Sequence, residues 1–282
     1  MTVYLNDQFV KNEEAVLHVS DLSMQRGYAI FDYFRTVNAV PLFMEDHLDR
    51  FYTSADAMHL DICKSREEIR NILKELIQQT SLSETGIRLM LTGGYSTDSY
   101  HPAAPNLLLT CKPVKIATAN DFEKGFSIIT FEHQRQLPHI KSINYLVAVW
   151  LQPLLKEKQA DDILYYNKES ITEFPRANIF IVTADNKLIT PARNILYGIT
   201  RKNVLSLAAE IMPVEERDIP LEELQNASEV FLTATSKRII PVLKINDQPV
   251  GNARPGPVTT QLYEKFLNLE TAVGLSGKPV NK

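Results

Sequence analysis

The strongest periodic pattern in this chain is an amphipathic helix followed closely by two apolar runs. One helix face is formed by apolar residues spaced three or four positions apart, namely Ile69, Ile72, Leu73, Leu76 and Ile77. Residues 87–92 and 106–111 are short apolar runs separated by glycines and prolines, which is typical of strands. The combination restricts the chain to folds that mix helices with sheets.

The rest of the chain extends the same mixture. Near the N-terminus, the sequence predicts strands at 3–5 and 14–17 around the turn residues Asn6-Asp7, and another at 41–44. A helix from Asp46 has an apolar face of Leu48, Phe51, Ala55 and Met58. Later strands are predicted at 126–131, 162–166, 178–182 and 230–233. Two later helices are predicted at 144–158, interrupted by Pro153, and at 200–211, buried through Val204, Leu205, Ala208 and Ile211.

The length and a change of composition predict two domains. A chain of 282 residues is too long for one small core. Residues 112–125 contain Pro113, mixed charges and Gly125, which is typical of a linker. We therefore expect a small domain at 1–118 and a larger one at 119–282, with a loose tail after Gly274.

Charge and composition exclude several classes of function. The net charge of −4 gives no electrostatic reason to bind nucleic acid. No apolar run reaches the roughly 20 residues of a membrane span, and the N-terminus has no secretory signal pattern. The six histidines lack metal-ligand spacing, so no metal is predicted. We interpret Cys63 and Cys111 as reduced, small buried side chains of a cytoplasmic protein.

Lys141 and Glu173 suit the chemistry of pyridoxal phosphate. We expect Lys141 at the start of a helix, where the helix field would help to lower the pKa of its amine, and Glu173 at the end of a strand. The amine can condense with the cofactor aldehyde, and the carboxylate can keep the pyridine nitrogen protonated. Taken alone, either residue could equally be an ordinary surface group.

Other residues could hold anions. Gly198-Ile-Thr-Arg201 precedes a helix, with Thr200 as the predicted N-cap and backbone N–H groups that could bind phosphate. Thr235 and Ser236 could add donors to the same anion. Arg50 could form a surface ion pair or a bidentate phosphate contact, and Arg26 and Arg176 could lie on the surface or bind a substrate carboxylate.

Six segments, in order along residues 3–266, resemble the motifs of the class IV (fold-type IV) pyridoxal phosphate-dependent aminotransferases. The early strand motif is Arg26-Gly-Tyr-Ala-Ile-Phe-Asp-Tyr-Phe-Arg35, and the arginine motif is His47-Leu-Asp-Arg50. The lysine motif is Lys141-Ser-Ile-Asn-Tyr145. The pyridine-nitrogen motif is Thr172-Glu173 with Asn178-Ile-Phe180, and the phosphate loops are Leu196-Tyr-Gly-Ile-Thr-Arg201 and Thr233-Ala-Thr235.

The resemblance implies a two-domain α/β (α+β) fold. It has a small N-terminal α/β domain, a larger C-terminal pseudo-barrel domain, and a homodimer with the cofactor between the domains. It also implies that Lys141 is the catalytic residue, which binds the cofactor and moves the proton. Glu173 would pair with the pyridine nitrogen, Tyr145 would reach the ring oxygen and Leu196 would pack on the ring. The phosphate would be held by Arg50, Ile199, Thr200 and Thr235.

Departures from the family pattern bear on the substrate. The family usually has small residues where this chain has Phe174-Pro-Arg-Ala177, and the Arg-x-His carboxylate trap is missing from residues 94–101. The chain is similar to a subgroup of D-amino acid aminotransferases with Arg-Gly-Tyr and Glu-x-x-Arg motifs. That similarity implies that Arg26 and Arg176 bind the substrate carboxylate, with Phe31 as a further substrate contact. Tyr145 resembles the branched-chain enzymes instead.

We therefore expect a cytoplasmic transaminase that moves an amino group between an amino acid and a 2-oxo acid by a ping-pong mechanism. D-amino acids are favoured as donors. The alternatives are a branched-chain L-amino acid aminotransferase, an aminodeoxychorismate lyase and a relative without catalytic activity.

Overall fold

The computed structural model describes residues 1–80, 82–168 and 170–276. Within these residues the chain forms two units, and neither is continuous in sequence. Unit 1 consists of Met1–Val114, Ile140–Asn144 and the chain from Glu270 onward, and unit 2 consists of Lys115–His139 and Tyr145–Leu269. Lys141 therefore belongs to unit 1 and Glu173 to unit 2. The division into domains at 1–118 and 119–282 stays a prediction.

Unit 1 is built on an antiparallel sheet with the strand order β2-β1-β6-β5-β3-β4. Its strands are β1 (Thr2–Leu5), β2 (Gln8–Lys11), β3 (Ala29–Val37), β4 (Val40–Pro41), β5 (Thr85–Thr92) and β6 (Leu107–Pro113). Its helices are α1 (Leu22–Arg26), α2 (Met44–Ala57) and α3 (Arg66–Gln79). Helix α2 packs on β3, and α3 packs on β1 and β6.

Helix α3 confirms the strongest sequence pattern. It begins at a capping box in which Ser65 and Glu68 each satisfy a backbone N–H of the other residue. Ile69, Leu73 and Leu76 are buried in the core of unit 1, and full burial of such a side chain stabilises the fold by about 1.5–3 kcal/mol. The predicted helix from Asp46 and the strands at 87–92 and 106–111 are confirmed as α2, β5 and β6.

Two predicted strands near the N-terminus are wrong. Asn6 and Asp7 both have positive φ, 43° and 69°, so a two-residue turn joins β1 directly to β2 with Leu5 opposite Gln8. The second strand therefore lies at Gln8–Lys11, and residues 14–17 form a turn and a loop. The strand expected at 41–44 ends at Pro41, because Phe43 has φ 53° and helix α2 begins at Met44.

Unit 2 contains the remaining strands and most of the remaining helical residues. The strands are β7 (Phe126–Glu132), β8 (Asp162–Asn167), β9 (Ser170–Ile171), β10 (Asn178–Val182), β11 (Leu188–Thr190), β12 (Val214–Glu216), β13 (Ile219–Pro220), β14 (Glu229–Ala234), β15 (Arg238–Ile245) and β16 (Gln248–Pro249). The helices are α4 (Ala119–Lys124), α5 (Leu146–Trp150), α6 (Gln152–Lys158), α7 (Ile199–Ala209), α8 (Leu221–Gln225) and α9 (Pro257–Ser276), of which the end from Glu270 is grouped with unit 1.

A mixed sheet forms the body of unit 2, in the order β12-β11-β10-β14-β15-β7-β8-β9-β13, with β16 on β15. Strand β10 is buried on both faces, and Phe180 stacks on Phe231 of β14 with ring centroids 5.0 Å apart. The strands predicted at 126–131, 162–166, 178–182 and 230–233 are confirmed as β7, β8, β10 and β14.

The predicted helices of unit 2 are confirmed with changes at their ends. The helix expected at 144–158 is divided at Leu151 into α5 and α6, and Pro153 lies in the first turn of α6. Helix α7 begins at Ile199 and buries Val204 and Ala208, whereas Leu205 is only half-buried.

The C-terminal helix extends into the tail that was expected to be loose. Helix α9 continues through Gly274 to Ser276, so the prediction is wrong for these residues, and residues 277–282 lie outside the described part of the chain. A Cβ atom at position 274 would lie 2.7 Å from Val37 Cγ1, so glycine permits this close approach to β3 within unit 1.

Two further observations concern the described residues as a set. In residues 1–80, 82–168 and 170–276, no helix has both the length and the apolar character needed to cross a bilayer. Both cysteines are free thiols; Cys111 is buried as predicted, whereas the predicted burial of Cys63 is wrong, because its side chain is exposed.

Candidate active site

Lys141 lies on an extended segment beside β3, and the expected helix start is wrong. Its carbonyl oxygen accepts from the Phe31 N–H at 2.9 Å, and Ser142 forms an antiparallel bridge with Ile30. Ile140 anchors the segment in the core of unit 1. Helix α5 begins only at Leu146, five positions after Lys141, so Lys141 is not at the start of this helix.

The Lys141 amine lies beside an aromatic ring. Its Nζ atom is 4.7 Å from the centroid of the Phe31 ring, and the guanidinium of Arg88 is 4.5 Å from the same centroid. Arg88 was not predicted as a site residue, although its position between Ile87 and Leu89 in an apolar strand was a signal. Phe31 therefore brings two cationic side chains of unit 1 close to one ring.

Arg50 forms a buried ion pair rather than the surface pair that its sequence context also allowed. Its Nε donates to Asp32 Oδ2 and its Nη2 to Asp32 Oδ1, both at 2.8 Å. The Nδ1 of His47 donates to the same Oδ1 at 2.7 Å. Asp32 and His47 lie on β3 and α2, so the packing of this helix on this strand builds the cluster.

The charges in this cluster are fixed by their surroundings. Burial raises the pKa of the Asp32 carboxyl, but the Arg50 guanidinium and the His47 ring outweigh burial and hold that pKa well below its usual range. Burial lowers the pKa of His47, and the nearby Arg50 and Lys141 cations lower it further, against the opposing effect of Asp32. We therefore expect an ionised Asp32 beside a neutral His47 at neutral pH.

The orientation of the Arg50 guanidinium follows from these contacts. Asp32 accepts from both Nε and Nη2 of Arg50, so the plane of the guanidinium is set by this carboxylate. The Arg50 side chain keeps 12% of its surface exposed, whereas the side chain of Asp32 has none. This arrangement suits an arginine that presents one edge to an anion.

Glu173 is a buried carboxylate of unit 2, between β9 and a tight turn. Its Oε1 accepts from Arg135 Nε at 2.7 Å and its Oε2 from the Leu196 N–H at 2.9 Å. Its carbonyl oxygen accepts from the Tyr165 N–H at 2.9 Å. Arg135 was not predicted as a site residue, because nothing in the local sequence links it to Glu173, 38 positions away. Glu173 and Leu196, both predicted to touch the cofactor ring, are thus directly hydrogen bonded.

Arg176 lies at the tip of the turn that follows Glu173. The turn is closed by a bridge between Phe174 and Ala177, whose backbone bond measures 2.9 Å. Within the described part of the chain, the exposed Arg176 side chain makes no hydrogen bond or salt bridge. Arg26, at the exposed end of α1, donates only to the neighbouring Gln25 carbonyl, at 2.7 Å. Both arginines therefore lie open to solvent in their own units.

The start of α7 differs from the prediction, because Gly198 and not Thr200 is the N-cap. A Cβ at position 198 would lie 2.1 Å from Asn178 Oδ1, which explains the glycine. No side chain caps this helix, so the N–H groups of its first turn, at Ile199 and Thr200, keep their capacity to bind an anion.

Asn178 joins the helix start to the end of β14. Its Nδ2 donates to the Leu196 carbonyl at 2.7 Å, and its backbone pairs with Thr233 of β14. The Thr233 Oγ1 atom is buried and has no hydrogen-bond partner among the described residues. Thr235 is half-buried in the turn that follows β14. A buried hydroxyl without a partner costs about 1–3 kcal/mol, so a hydroxyl and open N–H groups at this place fit a phosphate.

Tyr145 is the half-buried N-cap of α5 and belongs to unit 2. The helix that follows it is exposed and apolar, with Leu146, Val149 and Trp150 all facing solvent. The structure therefore assembles the predicted residues as two sets. Unit 1 holds Arg26, Phe31, Arg50 and Lys141, and unit 2 holds Tyr145, Glu173, Arg176, Leu196, Ile199, Thr200 and Thr235.

Comparison with known proteins adds an independent observation. Residues 29–245 match the family model of amino-transferase class IV. The chain is 30% identical to a D-alanine aminotransferase of Staphylococcus haemolyticus over 274 residues, 94% of this chain and 96% of that protein. It is 31% identical to a putative branched-chain-amino-acid aminotransferase of Methanocaldococcus jannaschii, covering 98% of each chain. The crystal structure of the Escherichia coli branched-chain amino acid aminotransferase superimposes with a TM-score of 0.89 at 23% identity, covering 96% of this chain and 95% of that chain.

Proposed function

Because the chain belongs to the class IV aminotransferase family, we propose that it transfers an amino group between a D-amino acid and a 2-oxo acid. Membership of the family makes it a pyridoxal phosphate-dependent transaminase, and its fold is that of fold-type IV aminotransferases. The donor class, the acceptor and the roles of individual residues are the proposal. The choice of a D-amino acid as the donor depends on one observation. Arg176 is exposed and lies in a tight turn three positions after Glu173.

The fit of the cofactor is supported separately in each unit. Pyridoxal phosphate, when bound, supplies an aldehyde that condenses with amines and a ring that withdraws electrons from the substrate Cα. In unit 2 the Glu173 carboxylate would hold the proton on the pyridine nitrogen, and the uncapped N–H groups of Ile199 and Thr200 would bind phosphate oxygens. Thr235 would add a phosphate contact, and Leu196 would pack on the ring.

Unit 1 contains further residues that we propose as ligands of the cofactor. The Lys141 amine would hold the cofactor and then move the proton between the substrate Cα and the cofactor C4′. The Phe31 ring, whose centroid is 4.7 Å from Lys141 Nζ, would give the amine a favourable contact whenever it is protonated and released from the cofactor. Arg50 would bind the phosphate with its guanidinium, whose plane is set by the two contacts to Asp32. Tyr145, from unit 2, would reach the ring oxygen.

The substrate carboxylate would be bound by Arg176, with Arg26 as a second arginine and Phe31 as an apolar contact. A guanidinium presents parallel donors that match a carboxylate, and Arg176 makes no competing salt bridge among the described residues. The D preference is supported by relatives named D-alanine aminotransferase at about 30% identity over nearly the whole chain.

The Arg176→Ala variant tests this role. We expect the KM for the D-amino acid donor to rise by roughly tenfold or more, because a charged hydrogen bond contributes about 1.5–3 kcal/mol. The affinity for pyridoxal phosphate should stay as in the wild type. Arg176→Lys is the matched control, which keeps the charge but loses the parallel donors and should give an intermediate KM. An unchanged KM in Arg176→Ala would remove Arg176 from the substrate site.

A branched-chain L-amino acid donor is the second candidate, supported by the M. jannaschii relative at 31% identity and by Tyr145. Half-reactions of the pure holoenzyme with paired D and L forms of alanine, glutamate and leucine separate the two candidates. The measurement is the loss of the visible cofactor band. A faster response to L-leucine than to D-alanine would reject the D-amino acid proposal. Release of pyruvate from aminodeoxychorismate without an acceptor would indicate the lyase.

We also propose a cytoplasmic homodimer. The exposed apolar side chains of α5, with Trp150 at 67% exposure, form a patch that self-association would bury. The two free cysteines are consistent with a reducing compartment. Light scattering of the purified protein should give twice the mass of the chain, and the Trp150→Glu variant should shift the equilibrium toward the monomer.

A further inference from the structure

Arg135 forms two directional contacts in unit 2. Its Nε donates to Glu173 Oε1 at 2.7 Å, and its Nη2 donates to the Pro138 carbonyl at 2.6 Å. The side chains of Arg135 and Glu173 are only 11% and 5% exposed. The guanidinium is therefore fixed in plane, with one donor on a carboxylate and the other on the backbone three residues along the chain.

The Glu173 carboxylate needs such a partner. A carboxylate that is almost completely removed from water is unfavourable unless its oxygens are paired. The Leu196 N–H serves Oε2, and Arg135 serves Oε1. Loss of the arginine would remove a cationic partner of this buried carboxylate and so favour its protonation or its rotation. Either change would remove the anion that a protonated pyridine nitrogen requires.

A lysine at position 135 could supply the charge but not this geometry. The two contacts of Arg135 use Nε and Nη2, which point in fixed directions from one rigid plane. An ammonium group donates from a single nitrogen on a flexible stem, so it would not reproduce two donors held on separate nitrogens of one plane. The arrangement thus depends on the shape of the guanidinium as well as on its charge.

We infer that Arg135 is a positioning residue that keeps the Glu173 carboxylate ionised and aimed at the pyridine nitrogen of the cofactor. This inference rests on the proposed role of Glu173. It adds that the direction of the carboxylate is set by a neighbouring side chain of the protein before the cofactor binds. A purely structural role for Arg135 would stabilise unit 2 without affecting recognition of the ring nitrogen.

The test compares two cofactors that differ only at the ring nitrogen. Pyridoxal phosphate and its 1-deaza analogue, in which carbon replaces that nitrogen, are titrated into the full chain after removal of its cofactor. In Arg135→Met the affinity for pyridoxal phosphate should fall by roughly tenfold or more, since a charge-assisted hydrogen bond is disturbed. The affinity for the deaza analogue should stay close to that of the wild type. Equal losses for both compounds, or no loss, would overturn the inference.

Three further variants make the result specific. Arg135→Lys should show part of the same selective loss, and it replaces Arg135→Met if that variant does not fold. Arg193→Met removes an exposed arginine that pairs with Asp218 in the same unit and should change neither affinity. In the double variant Arg135→Met with Glu173→Gln, the selective loss should equal that of Glu173→Gln alone, because both act on one contact.

Glu173→Gln separates this inference from the function on which it rests. If Glu173→Gln loses affinity selectively for pyridoxal phosphate but Arg135→Met does not, Glu173 keeps its role and the positioning by Arg135 is rejected. If Glu173→Gln shows no selective loss, the proposed role of Glu173 itself fails. Binding affinity is measured throughout, so neither outcome depends on turnover.

Discussion

Two regions of this protein use the same kind of contact for opposite purposes. In unit 1 the Nε of Arg50 donates to Asp32 at 2.8 Å, and in unit 2 the Nε of Arg135 donates to Glu173 at 2.7 Å. In the first pair we propose that Arg50 binds the ligand and that Asp32 orients Arg50. In the second pair we propose that Glu173 binds the ligand and that Arg135 orients Glu173. A buried ion pair can therefore present either charge, depending on which partner has access to the ligand.

The two pairs differ in how the arginine engages the carboxylate. Asp32 is completely buried and accepts from both Nε and Nη2 of Arg50, and from His47. Arg135 donates to Glu173 through Nε alone, because its Nη2 donates to the Pro138 carbonyl. We therefore expect Asp32 to matter most for the stability of unit 1, and Glu173 to matter most for the chemistry.

The largest expected effect is on stability, in the Asp32→Ala variant. Removing one partner of a buried ion pair leaves the other charge unpaired, which costs about 3–5 kcal/mol. Urea unfolding of the cofactor-free protein should show this loss in the free energy of unfolding. Asp32→Asn keeps the shape of the side chain and should cost less. A loss below about 1 kcal/mol in Asp32→Ala would mean that the cluster behaves like an exposed pair.

The Glu173→Gln variant tests whether the carboxylate of the second pair acts in the chemistry. The amide is similar in shape but cannot stabilise a protonated pyridine nitrogen, so we expect kcat to fall by roughly a hundredfold or more. Stopped-flow half-reactions with a saturating donor measure this step. The free energy of unfolding should change less than in Asp32→Ala. If Glu173→Gln kept its turnover and lost stability instead, Glu173 would act, like Asp32, mainly in stabilising the fold.

The pH dependence of stability distinguishes the regions further. The pKa of His47 is lowered in the folded state from its ordinary value of about 6.5, so below that pH the unfolded state binds more protons. The stabilising contribution of the neutral ring is complete above pH 6.5 and is lost as the pH falls toward the folded-state pKa. Unfolding measured between pH 7 and pH 5 should show a smaller pH slope in His47→Asn, which keeps a donor near Asp32. If the free energy of unfolding changed equally with pH in the wild type and in His47→Asn, His47 would not be a buried neutral residue.

The smallest expected effect concerns Thr233, whose buried hydroxyl has no partner among the described residues. In Thr233→Val the cofactor-free protein should be as stable as the wild type or slightly more stable, because no hydrogen bond is lost. If the hydroxyl meets the phosphate, affinity for pyridoxal phosphate should fall by about 0.5–1.5 kcal/mol. Thermal unfolding with and without cofactor measures both quantities. If the cofactor shifts the unfolding transition of Thr233→Val by as much as it shifts that of the wild type, Thr233 is not part of the phosphate site.

The parts of the molecule that follow local rules could be predicted from the sequence. Helix α3 repeats its apolar residues at helical spacing, and β10 is a short apolar run, so both were predicted correctly. The motif residues were found through their resemblance to a family. The class of enzyme followed from that resemblance and is supported by the family model over residues 29–245.

The errors and omissions arise where distant segments meet. Lys141 was expected at a helix start, but its segment pairs with β3, more than 100 positions earlier, and local sequence does not encode that pairing. Thr200 is a good N-cap by composition, but Asn178 leaves room only for a glycine at position 198. Arg135 and Glu173 are 38 positions apart with no periodic relation, so their contact required the structure.

All the proposed chemistry depends on the Lys141 amine as the group that carries the cofactor. Reduction of the holoenzyme with borohydride would fix the phosphopyridoxyl group to whichever amine holds it, and peptide mapping by mass spectrometry would locate it. We predict one label per chain, on the peptide that contains Lys141, and none in Lys141→Ala. A label on another lysine, or an unlabelled Lys141 peptide from the coloured enzyme, would contradict the account.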